Sequence, residues 1–286
     1  MYPRDGYMRI PERMADAIRD TGSEVVLGAR VARVICRGAY DFEVVYRTAA
    51  GESSVHATHV VSTIPLGALA RMLAPQAPAP VIEAAGKLRF RDLVTVNVKL
   101  ARRQVTPDTW LYVQDQEILF GRLHEPKNWS PAMVPDGDHT SLVLECFCSE
   151  GDAIWTASDE AIAARCIDDL ERKLGFIRAA EVTGWNVVRT RHAYPVYDLD
   201  YASHIGRIRA HLDTLEGLAV VGRGGAFRYN NADHSIEMGL LLGRRIMGYG
   251  VDHMAVNTEQ EYHEEIRSQD LERDHYASKP GTRSVA

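Results

Sequence analysis

GRGGAFRYNNADHS, residues 222–235, decides how this chain is read. It follows the apolar run Leu218-Ala219-Val220-Val221 and precedes the apolar, glycine-spaced stretch Ile236–Ile246, so it reads as strand, loop, helix. Such a loop exposes the first backbone N–H groups of its helix, and the macrodipole places about half a positive charge there. Gly222, Gly224 and Gly225 permit left-handed backbone or close approach, and Arg223 and Arg228 add positive charge. The pattern therefore predicts a seat for an anion. It is not a G-x-G-x-x-G fingerprint, because Phe227 stands where the third glycine would be.

Asn231 or Asp233 is placed to cap the following helix, and Gly239 and Gly243 share one of its faces, suited to close packing. The anion is either a phosphate or the N1–C2=O end of a flavin, which becomes negative on reduction. Asn230, Asn231 and Asp233 read equally well as a capped turn without ligand, and His234 as a structural hydrogen-bonding residue.

Outward from this loop, Met8–Thr21 reads as a helix with Ile10, Met14, Ala17 and Ile18 on one stripe. Glu24–Leu27, Val31–Cys36, Phe42–Thr48, Ser53–Ala57 and His59–Thr63 read as a β-meander ending in HVVSTIP. Leu66–Leu73 reads as a short helix, and APQAPAPVIEAAGKL as a passage between domains. Val94–Leu100, Trp110–Val113, Ile118–Leu123 and Ser141–Phe147 alternate as a largely antiparallel sheet. Ser158 caps a predicted helix over Asp159–Leu174; Glu181–Arg189 reads as a strand and Ala202–Leu215 as a helix.

The 286 residues, 45% hydrophobic, suffice for a substantial core. Of the net charge of -6, residues 259–274 hold seven acids against two arginines, which leaves the body near neutral. There is no basic stripe with interleaved aromatics, so no nucleic-acid surface is expected. Cys36, Cys146, Cys148 and Cys166 show no metal spacing and read as reduced thiols. No apolar run approaches the roughly 20 residues that span a bilayer, and no signal peptide opens the chain; a soluble cytoplasmic protein is expected. Motifs of serine hydrolases, zincins and P-loop proteins are lacking. Arg122, Asn128 and Trp129 form a polar and aromatic loop; His192, Tyr194 and Tyr197 line a second one. Glu145 interrupts an apolar strand, aimed either into a pocket or at solvent.

Six blocks, YPRDGYMRIPERMADAI, VVSTIPL, FGRLHEPKNWSP, ECFCSEGDAIWTASDEAI, AYPVYDLDY and VVGRGGAFRYNNADHSIEMG, resemble in that order the C-terminal part of FAD-dependent oxidoreductases. The superfamily is that of amine oxidase and protoporphyrinogen oxidase, and the blocks are most like bacterial members akin to UDP-galactopyranose mutase. The resemblance implies a mixed α and β fold: an incomplete FAD-binding domain of the glutathione-reductase type and an antiparallel-sheet substrate domain. The expected parts are residues 1–75 and 215–250 for FAD, 76–214 for substrate, and 251–286 as a polar tail.

It further implies that Val31 lies near the adenine, that Thr63 and Pro65 flank the cofactor, and that Gly222, Arg223, Tyr229, Asn230, Asn231, Asp233, His234 and Ser235 surround the ribityl chain and ring. Arg122, Trp129, Tyr194 and Tyr197 would form the side of a small-molecule substrate. The family's glycine-rich βαβ unit is absent from these residues, so a missing N-terminal segment or a second chain is expected to complete the FAD site. The expected activity is hydride transfer to flavin N5. The alternatives are a flavin-dependent sugar-nucleotide mutase and a non-catalytic fragment that needs a partner.

Overall fold

A computed structural model describes residues 2–258; the acidic stretch 259–274 lies outside the described residues. In chain order the elements begin with α1 (Arg9–Asp20), β1 (Arg30–Gly38), β2 (Asp41–Thr48), β3 (Gly51–Ala57), β4 (Val60–Ser62), α2 (Leu66–Met72), β5 (Leu73–Ala74) and α3 (Ala79–Lys87). There follow β6 (Phe90–Leu100), β7 (Leu111–Tyr112), β8 (Arg122–His124), β9 (Thr140–Cys148), α4 (Ala153–Thr156) and α5 (Asp159–Asp168). The last are β10 (Val182–Pro195), α6 (Tyr201–Leu212), β11 (Leu218–Val220), α7 (Gly222–Gly225) and α8 (Ala232–Ile246).

They form two compact units, one of residues up to Leu27 with Phe90–Ala193, the other of Gly28–Arg89 with the chain from Tyr194 onward. The breaks expected from sequence stand instead at 75 and 215. The proline-rich stretch after Ala74 folds as α3 in the second unit, because Val81, Ala84 and Ala85 give it an apolar face to bury. α2 lies so close to it that a Cβ on Gly67 would stand 2.5 Å from the Ala85 carbonyl oxygen.

The first unit is organised by alternation. β6 buries Val94, Val96, Val98 and Leu100, and its antiparallel partner β9 buries Leu142, Leu144, Cys146 and Cys148. α5 adds Ile162, Ala163 and Cys166 to this cluster, capped as expected by Ser158, whose Oγ accepts from the Ala161 N–H at 3.2 Å. Each such fully buried aliphatic side chain contributes on the order of 1.5–3 kcal/mol. The sheet order is β10-β6-β9-β8-β7. The expected strand Ile118–Leu123 shrinks to Arg122–His124, since Phe120 turns into the core and the Leu119 N–H donates to buried Asp169 rather than to a ladder. Glu24–Leu27, also expected as a strand, is irregular, with Val26 and Leu27 exposed.

In the second unit β3, β2 and β1 form the expected antiparallel meander, extended by β5 parallel to β1. HVVSTIP does not end that meander. Its strand, β4, pairs in parallel with β11, Leu218 beside Val60 and Val220 beside Ser62. Among the described residues this sheet has two strands. Gly239 and Gly243 on α8, expected to allow close packing, face open space: a Cβ on either would meet nothing within 4 Å. The segment after 250, expected in the polar tail, instead buries His253 and Val256, the latter against Val221, Met238 and Leu241.

Glu125 ties the first unit together. Its fully buried carboxylate accepts from the Val105 N–H at 3.1 Å, the Thr106 N–H at 2.9 Å and the Thr140 hydroxyl. Removing it leaves two backbone N–H groups and a hydroxyl without their acceptor. Glu125→Ala is expected to lower the stability of this unit by about 3 kcal/mol. All four tryptophans lie in this unit, so denaturant unfolding followed by tryptophan emission measures it.

Candidate functional site

β4 and β11 run parallel, so the loops that leave their C-terminal ends emerge on the same edge, where open α/β sheets bind ligands. Gly222 opens its loop with φ +75°, a left-handed conformation that glycine adopts without a Cβ penalty. A Cβ on Gly224 would stand 3.1 Å from the Thr63 carbonyl oxygen, and one on Gly225 2.6 Å from that of Ser62. The chain of Ser62 to Pro65 and the glycine turn α7 are thus backbone against backbone. Thr63 and Pro65 lie against the Gly222 loop; Val31 stands in the other sheet of this unit, opposite Tyr46.

Phe227 follows with φ +49°, a left-handed backbone at a bulky residue and hence a strained one. Beyond it the two arginines take different partners. Arg223 donates from Nε to the Asn230 carbonyl at 2.7 Å and lies 4.9 Å over the Tyr194 ring and 5.5 Å from that of Tyr229. Tyr194 and Tyr229 stack at 5.5 Å, and the Tyr197 hydroxyl accepts from the Tyr229 N–H at 2.8 Å. Burial raises the Tyr197 phenol above its ordinary value. Arg228 is instead spent on the Met254 and Val256 carbonyls, its pKa lowered first by burial and then by Arg209.

Asn231 caps α8, and its N–H donates to His234 Nδ1 at 3.2 Å; the Ser235 hydroxyl donates to the Asn231 carbonyl. Asn230 is buried, with its amide nitrogen on Met238 sulfur at 3.0 Å and its oxygen held by Asn257. Asp233 is exposed in the first turn. The helix N-terminus and Arg223 supply positive charge, and Tyr194, Tyr197 and Tyr229 supply flat apolar faces. That donor set fits a planar ring with an anionic edge.

The substrate-side candidates fall into two groups. Tyr194 and Tyr197 belong to the loop cluster just described, whereas Arg122 and Trp129 lie in the other unit, Arg122 on its five-stranded sheet and Trp129 just after the short turn Pro126–Asn128. There Arg122 of β8 is paired across the ladder with Glu145 of β9, guanidinium to carboxylate. Glu145 thus points neither at solvent nor into an open pocket. The guanidinium lies 4.7 Å over Trp110, which makes an edge contact with Trp129 at 5.1 Å; Trp129 stacks on Tyr2 at 5.6 Å. His124 packs 4.3 Å from Trp110, and burial first, then Arg122, pushes its pKa down to about 4. Sequence reasoning does not single out Trp110 or His124. Their contacts join residues 110, 122, 124, 129 and 145, and no local pattern announces such a set.

Among the described residues no helix is long and apolar enough to cross a membrane, and no group of three or more His, Cys, Asp or Glu could hold a metal. A family model described as flavin containing amine oxidoreductase matches residues 1–222, and the chain belongs to that family. No curated protein sequence matches. The crystal structure of reduced UDP-galactopyranose mutase aligns with a TM-score of 0.76 at 18% identity, over 90% of this chain and 54% of that one. A redesigned putrescine oxidase aligns at 0.63 and 19% identity, over 85% and 53%. A candidate protoporphyrinogen oxidase from Exiguobacterium sp. 255-15 aligns at 0.59 and 22% identity, over 77% and 46%. The chain spans about half the length of these structures, and the likeness is one of fold.

Two expectations follow from the geometry. Gly225→Ala drives a methyl into the Ser62 carbonyl and should cost about 1–3 kcal/mol, more than Gly224→Ala, when thermal melts of the two are compared. His124 resists protonation when folded down to about 4 but takes a proton near 6.5 when unfolded. Stability is therefore lost as pH falls from 6.5 toward 4, and His124→Gln should flatten that slope in tryptophan-monitored unfolding.

Proposed function

We propose that this chain carries the flavin-facing part of an FAD-dependent oxidoreductase that takes a hydride from a small-molecule substrate. The observation that supports it most is the glycine turn α7, seated on Ser62–Pro65 in the loop that leads to α8, with Arg223 and its tyrosines alongside. FAD held there supplies a hydride acceptor at N5. The protein's task is then to orient and to stabilise charge. The first turn of α8, whose N–H groups lack helical acceptors, and Arg223 would hold the anionic edge of such a ring and stabilise the charge it gains on reduction. The stacked pair of Tyr194 and Tyr229 lies beside the guanidinium, 4.9 and 5.5 Å from it, and offers it ring faces.

A second part of the proposal concerns completion of the site by another chain or segment that provides the ADP-binding half. β11 and β4 form a two-stranded parallel sheet, a type that is stable only when extended and covered. Val61 on β4 and Leu240 on α8 are exposed, and the groove of about 680 Å³ beside β11 is lined by Val61, Ala219 and Ile246. These features suit an added strand and helix. The mutase alternative calls for substrate arginines, and Arg122 is occupied by Glu145, which favours the oxidoreductase reading.

Titration of the purified chain with FAD, followed by visible absorption, tests this. Bound flavin is expected when the ADP-binding half is supplied, with Arg223→Met about tenfold weaker, a loss of about 1.4 kcal/mol. A chain that stays colourless alone but turns yellow when co-expressed with a glycine-rich βαβ segment overturns autonomy and supports completion. A chain colourless in both settings overturns the flavin reading.

A further inference from the structure

The aromatic cluster on the sheet of the first unit has a composition that the Arg122–Glu145 pair alone does not require. Trp110 is 39% and Tyr112 71% exposed, although both are large apolar rings whose burial would stabilise the fold. They border Arg122, whose guanidinium is 4.7 Å from the Trp110 ring and 5.9 Å from that of Tyr112. Exposed rings gathered on one guanidinium, with Trp110 also against His124 and Trp129, set this face apart from scattered surface apolar residues.

Charge narrows what can bind there. Arg122 is 21% exposed at its side chain, but the Glu145 carboxylate neutralises it. His124, the third titratable group of the cluster, is uncharged at neutral pH and 3.9 Å from Glu145 through Nδ1. Nδ1 is buried and lacks a hydrogen-bond partner. The cluster as a whole carries no net charge, while its faces are Trp110, Tyr112 and the flat guanidinium. An anion would have to displace Glu145 from Arg122. A cation would meet Arg122 across the same rings. An uncharged planar π-system meets neither cost and stacks on all of these faces.

We propose that this face binds an uncharged, planar aromatic or conjugated molecule, with Trp110 as the stacking platform and Arg122–Glu145 as the element that excludes charged analogues. Calling that molecule the substrate rests on the flavin-enzyme reading; the binding itself does not.

Calorimetric titration of the full chain with three naphthalene probes of matched ring tests the inference: 2-naphthalenemethanol, 2-naphthalenemethylamine and 2-naphthoate. The neutral alcohol should bind at least tenfold more tightly than the amine or the carboxylate. Trp110→Ala should abolish this binding and Trp110→Phe retain much of it, whereas Trp185→Phe, an exposed tryptophan of β10, should leave it unchanged. Tyr112→Ala, at a highly exposed position where folding is not at stake, should weaken it severalfold. Glu145→Gln uncovers the Arg122 charge and should turn preference toward 2-naphthoate. Equal affinity for all three probes, tighter binding of a charged one by the native chain, or no effect of either the Trp110→Ala or the Tyr112→Ala change overturns the proposal. Flavin content is recorded on the same samples. Alcohol binding without flavin uptake upholds the binding face and removes the word substrate; flavin uptake without alcohol binding overturns the binding face and leaves the flavin reading standing.

Discussion

The contact on which the candidate site depends is backbone on backbone: the glycine turn 224–225 pressed against the carbonyls of Ser62 and Thr63. No side chain fits between them. This approach exists because β4 and β11 are parallel neighbours whose C-terminal ends release their loops on one edge. Once the loops touch, the direction of α8 and the position of Arg223 follow. The left-handed Phe227 then divides the two arginines, Arg223 to the tyrosines and Arg228 to the carbonyls of residues 254 and 256.

The two units solve the problem of buried charge in different ways. In the first, carboxylates are enclosed and offset by donors: Glu125 by two backbone N–H groups and a hydroxyl, Asp169 by the Leu119 N–H with Arg165 and Lys173. Glu145 is enclosed by a guanidinium, and the aromatic rings around that pair lower the dielectric in which it sits. In the second unit charge is left at the rim, on helix termini and on Arg223.

Much of the fold is legible in the sequence because it rests on local rules. The alternation of β6 and β9, the Ser158 cap and the meander of β1 to β3 appear where their residues predict them. The departures share a cause. HVVSTIP has the composition of a meander strand, yet its partner comes from the far end of the chain, at Leu218 beside Val60. Gly239 and Gly243 have the spacing of packing glycines, but spacing on a helix says which face they occupy and nothing about what lies opposite. Val256 reads as part of a polar tail because the cluster that buries it comes from Val221, Met238 and Leu241.

By itself the sequence determined most element types, among them the strand-loop-helix at 218–246 and its glycines, since propensity, capping and backbone freedom are properties of a few adjacent residues. Only the tertiary structure decided that Thr63 and Pro65 meet Gly224, that Arg223 rather than Arg228 joins the tyrosines, and that Arg122 is neutralised by Glu145 beneath Trp110. Those are choices among distant partners. They depend on which strands pair and where their loops emerge, and no local pattern in the chain encodes the distance between them.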